Sequence, residues 1–582
     1  MMAASSIDDG VHHRLHSPRS FPFIAALLLV SHGIFPVGAA EYPPPEAVED
    51  ELRAIARDSG GILTLETLGE TRERRPITAA VLALPGPKIL RDRQSILVVA
   101  NLEGNLHHAT AVVLEVVRQL VRRRDEPALR ESLGDAAIVF IPQASPDAAA
   151  RIAERPLRET SRNTRAIDDD RDRALDEDGP DDLDGDGEIL RMRIPDPDGA
   201  LVIDVSDPRL LRPARPEDSG GARFRLGDEG VDGDGDGLNG EDPAGGVDVS
   251  INFPHDHDAR EPEAGPHAAS EPESRAILDF VYASAGIEAA VTYGAEDNLV
   301  SPPEGRDGPP ERRRERRVWR KDAEVYSRIG KLYRDTSVRK PGEPGTGKVP
   351  RRPLLPPRRG SLPSTLYHDA GILAAAASLH GGEPPLVAGA LVPEKPLEGL
   401  DLERAWLAWS DGAGMGAFIP WHPVEHPKLG LVHVGGFRPY TRTNPPPAEA
   451  ALLAPAQVEF LLGLAARLPR ISIEDTKVEE IAEGIFDVRV RVVNRGRLPT
   501  ALVQGAFTRR RSPLGVEFVC RGAKHIGDDA RRTIDRLEED GGARELRWIA
   551  HAARGAEVAI EVHRRGVPLA STRFRLEAGR SL

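Results

Sequence analysis

Residues Ile96 to Val121 read "ILVVANLEGNLHHATAVVLEVVRQLV", and the way this stretch divides decides the fold. With Ser95 it opens as a short unbroken apolar run, "SILVVANL" (Ser95 to Leu102), the pattern of a strand buried on both faces. From Ala109 to Arg123 the apolar residues recur at helical spacing. Strand, loop and helix in this order form the unit of a sheet flanked by helices, where functional side chains gather in loops at the carboxyl ends of strands. The loop is Glu103-Gly104-Asn105-Leu106. A metal site there would need imidazoles and carboxylates at fixed spacing. This loop supplies Glu103, then Leu106, and only afterwards His107 and His108.

Working outward, "AAIVFIP" (Ala136 to Pro142) and "IEAAVTYG" (Ile287 to Gly294) are further buried-strand runs. Helical patterns cover Pro272 to Ser284, Trp319 to Asp335 and Pro455 to Leu468. Strands alternating with helices predict an α/β domain over residues 41–470, with a mixed, mostly parallel sheet flanked by helices. Its loops at Glu103, Ser145 and Gly294 follow strand ends. Two biased segments interrupt it. One is an acidic, Asp-rich insert over 166–245. The other is a basic, Pro-rich segment over 304–360, expected to be a loop with one helix facing solvent or the acidic insert. After Ile471 the period changes to two, as in "IFDVRVRVVNRG" (Ile485 to Gly496), which predicts a C-terminal all-β sandwich over 471–582.

A chain of 582 residues is too long for one core. Its 40% hydrophobic and 29% charged residues exclude a membrane-embedded class. The net charge of −15 argues against general nucleic-acid binding. Cys520 is the single cysteine, so neither an intrachain disulfide nor a paired-cysteine zinc site is available. At the N-terminus Arg14, His16 and Arg19 precede the apolar "FPFIAALLLV" (Phe21 to Val30) and the small residues of "VGAAEY". This predicts a signal peptide over 1–40, cleaved near Ala39 or Ala40, and an exported protein without stable membrane insertion. Oligomeric state is not legible.

Three aspartate ladders mark the acidic insert: Asp168, Asp170 and Asp172; Asp182, Asp184 and Asp186; and Asp232, Asp234 and Asp236. Carboxylates at positions 1, 3 and 5, followed in two of the ladders by Gly187 and Gly237 at position 6, are how a tight loop wraps oxygens around a hard cation. The glutamate normally found at position 12 is missing from all three, where Gly179, Arg193 and Pro243 stand. Calcium is the expected cation.

The segments "DDDRDRALDEDGPDDLDGDGEILRMRIPDPDG", "EGVDGDGDGLNGEDPAGGVDVSINFPH" and "EAGPHAASEPESRAILDFV" together resemble bacterial secreted zinc carboxypeptidases of the carboxypeptidase A type. "SPDAAAR", "FIPWHPVEHPKLGLVHVGGFRPYTRTNPPP" and "VVNRGRLPT" extend the resemblance over roughly 41–582. The resemblance implies zinc on a His-x-x-Glu pair and a second histidine, a glutamate general base, and an arginine beside an asparagine for the oxyanion and substrate carboxylate. At the matching positions this chain carries Glu103 and Leu106 for the pair, Gly294 for the other histidine, Ser250 and Ile251 for the Asn-Arg pair, and Ser378 for the base. Arg162 and Arg165 are the candidates for a carboxylate-binding arginine.

One carboxylate cannot hold zinc against water, so zinc is not expected. The predicted function is that of an exported carboxypeptidase-like protein with an erased reaction centre, whose cleft takes a peptide or another envelope component. Two alternatives stand beside it. In one, a hydrolase has a displaced metal site built from Glu103, His107 or His108, and Glu296 or Asp297. In the other, the chain is a calcium-stabilised structural or adhesive envelope protein. Under the first reading His107 and His108 cap the helix or face solvent, and Glu296 and Asp297 lie in water.

Overall fold

Ser95–Ala100 is a central strand, and residues Ile96 to Ala100 are wholly buried, as the unbroken apolar run predicts. This computed structural model describes residue 42 onward, except 87–92, 168–174, 176–178, 219, 233–244, 310–315, 338–357, 380–396, 521–523, 526–529, 578–579 and 582. The predicted signal peptide, Asp168, Asp170, Asp172, Asp234 and Asp236 therefore lie outside the described residues.

Around Ser95–Ala100 runs a six-stranded sheet in the order Leu63–Glu70, Pro76–Ala83, Ala137–Ile141, Ser95–Ala100, Ile287–Tyr293, Leu373–Ala377. The last four strands are mutually parallel, and the first two add antiparallel. The sheet is mixed, as expected, and is flanked by helices. His107–Arg122, Glu449–Ala465 and Arg320–Ser337 pack side by side, while Leu362–His368 lies against the two strands at the sheet's end. The helix expected from Pro455 starts earlier and carries Pro455 inside it. One side of it, with Ala454, Val458, Leu461, Leu462 and Ala465, is buried against its neighbours while Pro455 lies on the exposed side, and that packing overrides the proline stop signal.

The acidic insert departs from its reading as a set of cation loops. It contributes Arg191–Pro195, Leu201–Ile203, Leu211–Pro213 and Phe224–Asp228 to a second, antiparallel six-stranded sheet. The hairpin of Phe418–His426 and Gly430–Phe437 completes that sheet, with Val434 opposite Met192. Its small core is Leu190, Met192, Ile194, Val432 and Val434. The strands are short and polar on one face, so they become a sheet only when the distant hairpin covers the other.

Beyond Ile471 all strands pair antiparallel in two sheets that face each other across Val488, Val490, Trp548, Val516, Phe518 and Ile560. The predicted alternation is seen as inward valines along Ile485–Asn494. The short helix Val503–Thr508 docks on the α/β domain, where buried Asp322 accepts the Val503 and Gln504 N–H groups at 2.8 and 3.1 Å. Among the described residues no helix is long and apolar enough to cross a membrane.

Candidate functional site: a filled reaction centre

Parallel strands bring their carboxyl ends together, and the loops that follow them meet. Ala144 and Ser145 N–H bond back to the Ala100 and Asn101 carbonyls at 3.0 and 3.1 Å, and Gly294 and Asn298 N–H bond to Ala377 and Ala376 at 3.2 and 3.0 Å. The Glu103 loop is held by Asn101, whose side-chain amide donates to the Gly104 carbonyl at 2.9 Å. Gly104 has φ +70°, and a β-carbon there would meet the Ala148 methyl at 2.3 Å, so only glycine fits.

The loops thus converge as the resemblance implies, but the space between them is occupied. Glu103 is buried and turns toward Gly294, just past the strand Ile287–Tyr293, where its Oε1 accepts the Ala295 N–H at 2.8 Å. A β-carbon on Gly294 would lie 2.5 Å from Glu103 Oε1 and 2.9 Å from Oε2. The carboxylate therefore stands where the side chain of a third ligand would begin. Burial pushes the Glu103 carboxyl up to about 7; nearby Asp248 adds to this and Arg358 opposes it.

Replacing Gly294 by alanine is expected to force Glu103 off the Ala295 N–H and cost about 1–3 kcal/mol. In the pair Glu103→Ala/Gly294→Ala the cost is expected to fall well short of the sum of the singles, because the clash is gone. Chemical denaturation of the four proteins measures the coupling, and additive costs would contradict the filled-space account.

Ser250 and Ile251 lie in a short 3-10 turn, Val249–Ile251. Ser250 Oγ donates to Asp248 at 2.6 Å. Ile251 is buried, and Gly360 packs on its carbonyl oxygen, to which a β-carbon at 360 would come within 2.1 Å. That contact brings in Arg358, which sequence reasoning placed in the solvent-facing basic segment. Its guanidinium bonds Asp248 Oδ2 at 3.2 Å and Ser250 Oγ at 3.4 Å and lies 3.7 Å from Glu263, while its N–H donates to Glu296. No spacing in the sequence marks Arg358. Its place depends on residues 358–361 running along residues 251–255.

Glu296 and Asp297 are buried, contrary to the expectation of solvated carboxylates. Burial pushes Glu296 up to about 8, and the neighbouring Glu103 adds to this. Burial likewise raises Asp297 to about 6, against hydrogen bonds that include the backbone N–H groups of Val300, Leu299 and Ser378.

The two histidines are also buried rather than capping or solvent-facing. His107 sits between the rings of Tyr42 and Tyr440, at centroid distances of 5.7 and 5.6 Å. Asn444 accepts the His108 N–H at 3.1 Å. Burial lowers His107 to about 3, with His108 adding to the effect, and lowers His108 to about 4, so both are neutral near pH 7. Glu103 and Glu296 are electrostatic neighbours, but among the described residues they form no group of three with His107, His108 or Asp297 whose ligand atoms all come within 4.8 Å. Among the described residues, the one group of His, Cys, Asp or Glu side chains whose ligand atoms all come within 4.8 Å is Asp182, Asp184 and Glu229. The residues present at the former centre do not fit zinc.

Arg162 and Arg165 are held in ion pairs, to Glu263 at 3.0 Å and to buried Glu271 at 2.7 Å. Glu271 is shared with Arg72 at 2.9 Å, which makes Arg165 part of the scaffold beneath the loops.

In the acidic insert, Asp182 accepts the Gly185 and Gly187 N–H groups at 2.8 and 2.9 Å, and Asp184 lies 2.6 Å from His422. Asp186 stays outside the three-carboxylate group, and Asp232 is 3.3 Å from Lys428. Glu229, absent from the sequence reading, is fully buried and accepts the Leu183 and Leu190 N–H groups at 2.8 Å each. Its position comes from the pairing of Phe224–Asp228 with Arg191–Pro195, which no loop motif encodes.

The zinc carboxypeptidase family profile matches residues 48–182, the segment that carries the central strand and the Glu103 loop. Over these residues the chain is similar to the zinc carboxypeptidases. Residues 470–574 match a family described as a domain of unknown function (DUF8731). Similar solved structures are carboxypeptidases at low identity. Thrombin activatable fibrinolysis inhibitor is 11% identical, with 58% of this chain and 69% of that one covered and a TM-score of 0.36. Carboxypeptidase A from Helicoverpa armigera is 13% identical, with 65% and 74% covered and a TM-score of 0.34. A metallo-carboxypeptidase from Burkholderia cenocepacia is 12% identical, with 72% and 69% covered and a TM-score of 0.34. No curated protein matches the chain. The matched segment includes Glu103 and Leu106, the positions the resemblance aligns with the His-x-x-Glu pair, and the α/β fold is the one the sequence predicts.

Proposed function

We propose that this chain is a carboxypeptidase-like protein without peptidase catalysis, exported from the cell, whose role is to bind a peptide or another envelope component. The observation that carries this reading is the Glu103 carboxylate within 2.5 Å of where a side chain on Gly294 would start. A vacant centre could be refilled by a metal, whereas this one is filled by a carboxylate with its own backbone donor. The replacements at Leu106, Ile251 and Ser378 remove the other ligand, the oxyanion guanidinium and the base. Arg358 does not restore the oxyanion role, because its guanidinium is bonded to Asp248 and Ser250. The deciding experiment is release of C-terminal residues from blocked dipeptides by metal-loaded protein.

A second reading, calcium stabilisation, is favoured by the gathering of Asp182, Asp184 and Glu229. Glu229 supplies from another strand the carboxylate that the ladder lacks at position 12, and oxygen ligands at these positions suit a hard cation. Calcium at about 100 times its dissociation constant is expected to add about 2.7 kcal/mol, read as a rise in Tm of several degrees. Asp184→Asn is expected to abolish the rise. An unchanged Tm in the wild type would remove the calcium reading.

A further inference from the structure

A cavity of about 500 Å³ lies mainly between the acidic insert and the 418–442 segment; it shares no lining residue with the Glu103–Gly294 contact, although its Glu159 accepts the Asn105 side-chain amide of the Glu103 loop at 3.1 Å. It is within the size range of small-ligand sites. Its walls are the rings of Phe418, Trp421 and Phe437, with Trp421 and Phe437 set edge to face at centroid distances of 6.2 and 5.2 Å from Phe418. Gly436 lines the cavity at φ +119°, a backbone conformation that favours glycine.

The charges that line it are mostly guanidinium, with Arg158, Arg191, Arg209, Arg438 and Arg442 against Glu159, Asp228 and Glu403; Arg191, Arg438 and Arg442 face carboxylates on Asp228, Glu188 and Glu403. Arg442 is the weakly committed one. It is half-exposed, 4.0 Å from Glu403, and rests 5.0 Å from the centre of the Phe437 ring. An exposed pair at that distance contributes little, so its guanidinium can turn to a ligand carboxylate and bind it through two parallel hydrogen bonds.

We propose that this cavity binds an acidic oligosaccharide built from uronic acid units. Sugar ring faces stack on aromatic side chains, the Asp228 and Glu403 carboxylates accept hydroxyl groups, and Arg442 takes the uronate charge. In a chain of net charge −15, this cationic rim is a local exception that concentrates anions at the cavity mouth. A peptide ligand would call for free backbone donors and acceptors, whereas the polar groups here are charged side chains.

The proposal names the partner for the binding role above, but its site does not depend on the fate of the zinc centre. The test is calorimetric titration of the full chain with trigalacturonate, with galactotriose as the uncharged counterpart and an acidic aromatic tetrapeptide as competitor. Saturable binding of trigalacturonate is expected, quenching tryptophan fluorescence, with no binding of galactotriose. Arg442→Gln is expected to weaken it about tenfold or more, and Arg442→Lys less. The variant's unchanged Tm separates loss of binding from loss of fold. Three results would overturn the proposal: no binding at about 10 mM trigalacturonate, a level that detects even weak complexes; equal affinity in Arg442→Gln; or preference for the tetrapeptide. In each case absent peptidase activity would leave the loss of catalysis standing.

Discussion

Purified protein dialysed against chelator and reloaded with zinc is expected to release C-terminal residues from blocked dipeptides no faster than buffer does. Working hydrolases exceed the uncatalysed rate by about 10⁶-fold or more, so the assay has a wide window. The expectation follows from several independent deficits. Loss of an oxyanion donor alone typically costs about 10²–10³ in rate, and here Ile251 stands at the position the arginine would take. Ser378 cannot act as a carboxylate base. Zinc would have only Glu103, and that carboxylate is turned to the Ala295 N–H at 2.8 Å. Gly294→His is not expected to recover metal, because the new side chain meets Glu103 before it reaches the centre. Zinc-dependent turnover that chelator abolishes and zinc restores would overturn the proposed function.

The largest stability effect is expected at Glu288, on the strand Ile287–Tyr293. This nearly buried carboxylate pairs with two nearly buried guanidiniums from the C-terminal region: Arg564, at 2.7 Å, and Arg511. Burial lowers Arg564 to about 10, against the Glu288 charge, and it stays cationic at pH 7. Glu288→Ala leaves two cations buried without a counter-charge and is expected to cost about 3–5 kcal/mol. The break falls between the α/β sheet and the β-sandwich, so limited proteolysis is expected to free a C-terminal fragment from the variant first. Replacing all three residues by apolar side chains of similar volume is expected to recover most of the loss. A Glu288→Ala protein with wild-type urea midpoint would show that the pairs contribute nothing.

Much of the α/β layer is legible in the chain because its signals are local. The runs at Ser95, Ala136 and Ile287 are apolar without interruption, and each forms a strand buried on both faces. The alternation of Ile485 to Gly496 likewise specifies a strand with one inward face. The hairpin of Leu63–Glu70 and Pro76–Ala83 escaped that reading, since polar residues on its edge strand blur the period. The second sheet escaped it for another reason. Its strands in the acidic insert are three to five residues long, and their partner hairpin lies some two hundred residues away.

At the proposed former centre, residue identity alone carried the expectation that Leu106, Ile251, Gly294 and Ser378 do not perform the chemistry the resemblance implies, because ligand and base roles depend on which atoms a side chain carries. What replaced that chemistry depended on the fold. Only the packed loops put Glu103 into the space beside Gly294, carried Arg358 onto Asp248, buried His107 between Tyr42 and Tyr440, and set Glu229 beside Asp182 and Asp184. Hydrophobic period is written along the chain, residue by residue. The partner of a charge is chosen by whichever distant segment the closed fold brings within about 3 Å of it, and no spacing in the sequence records that choice.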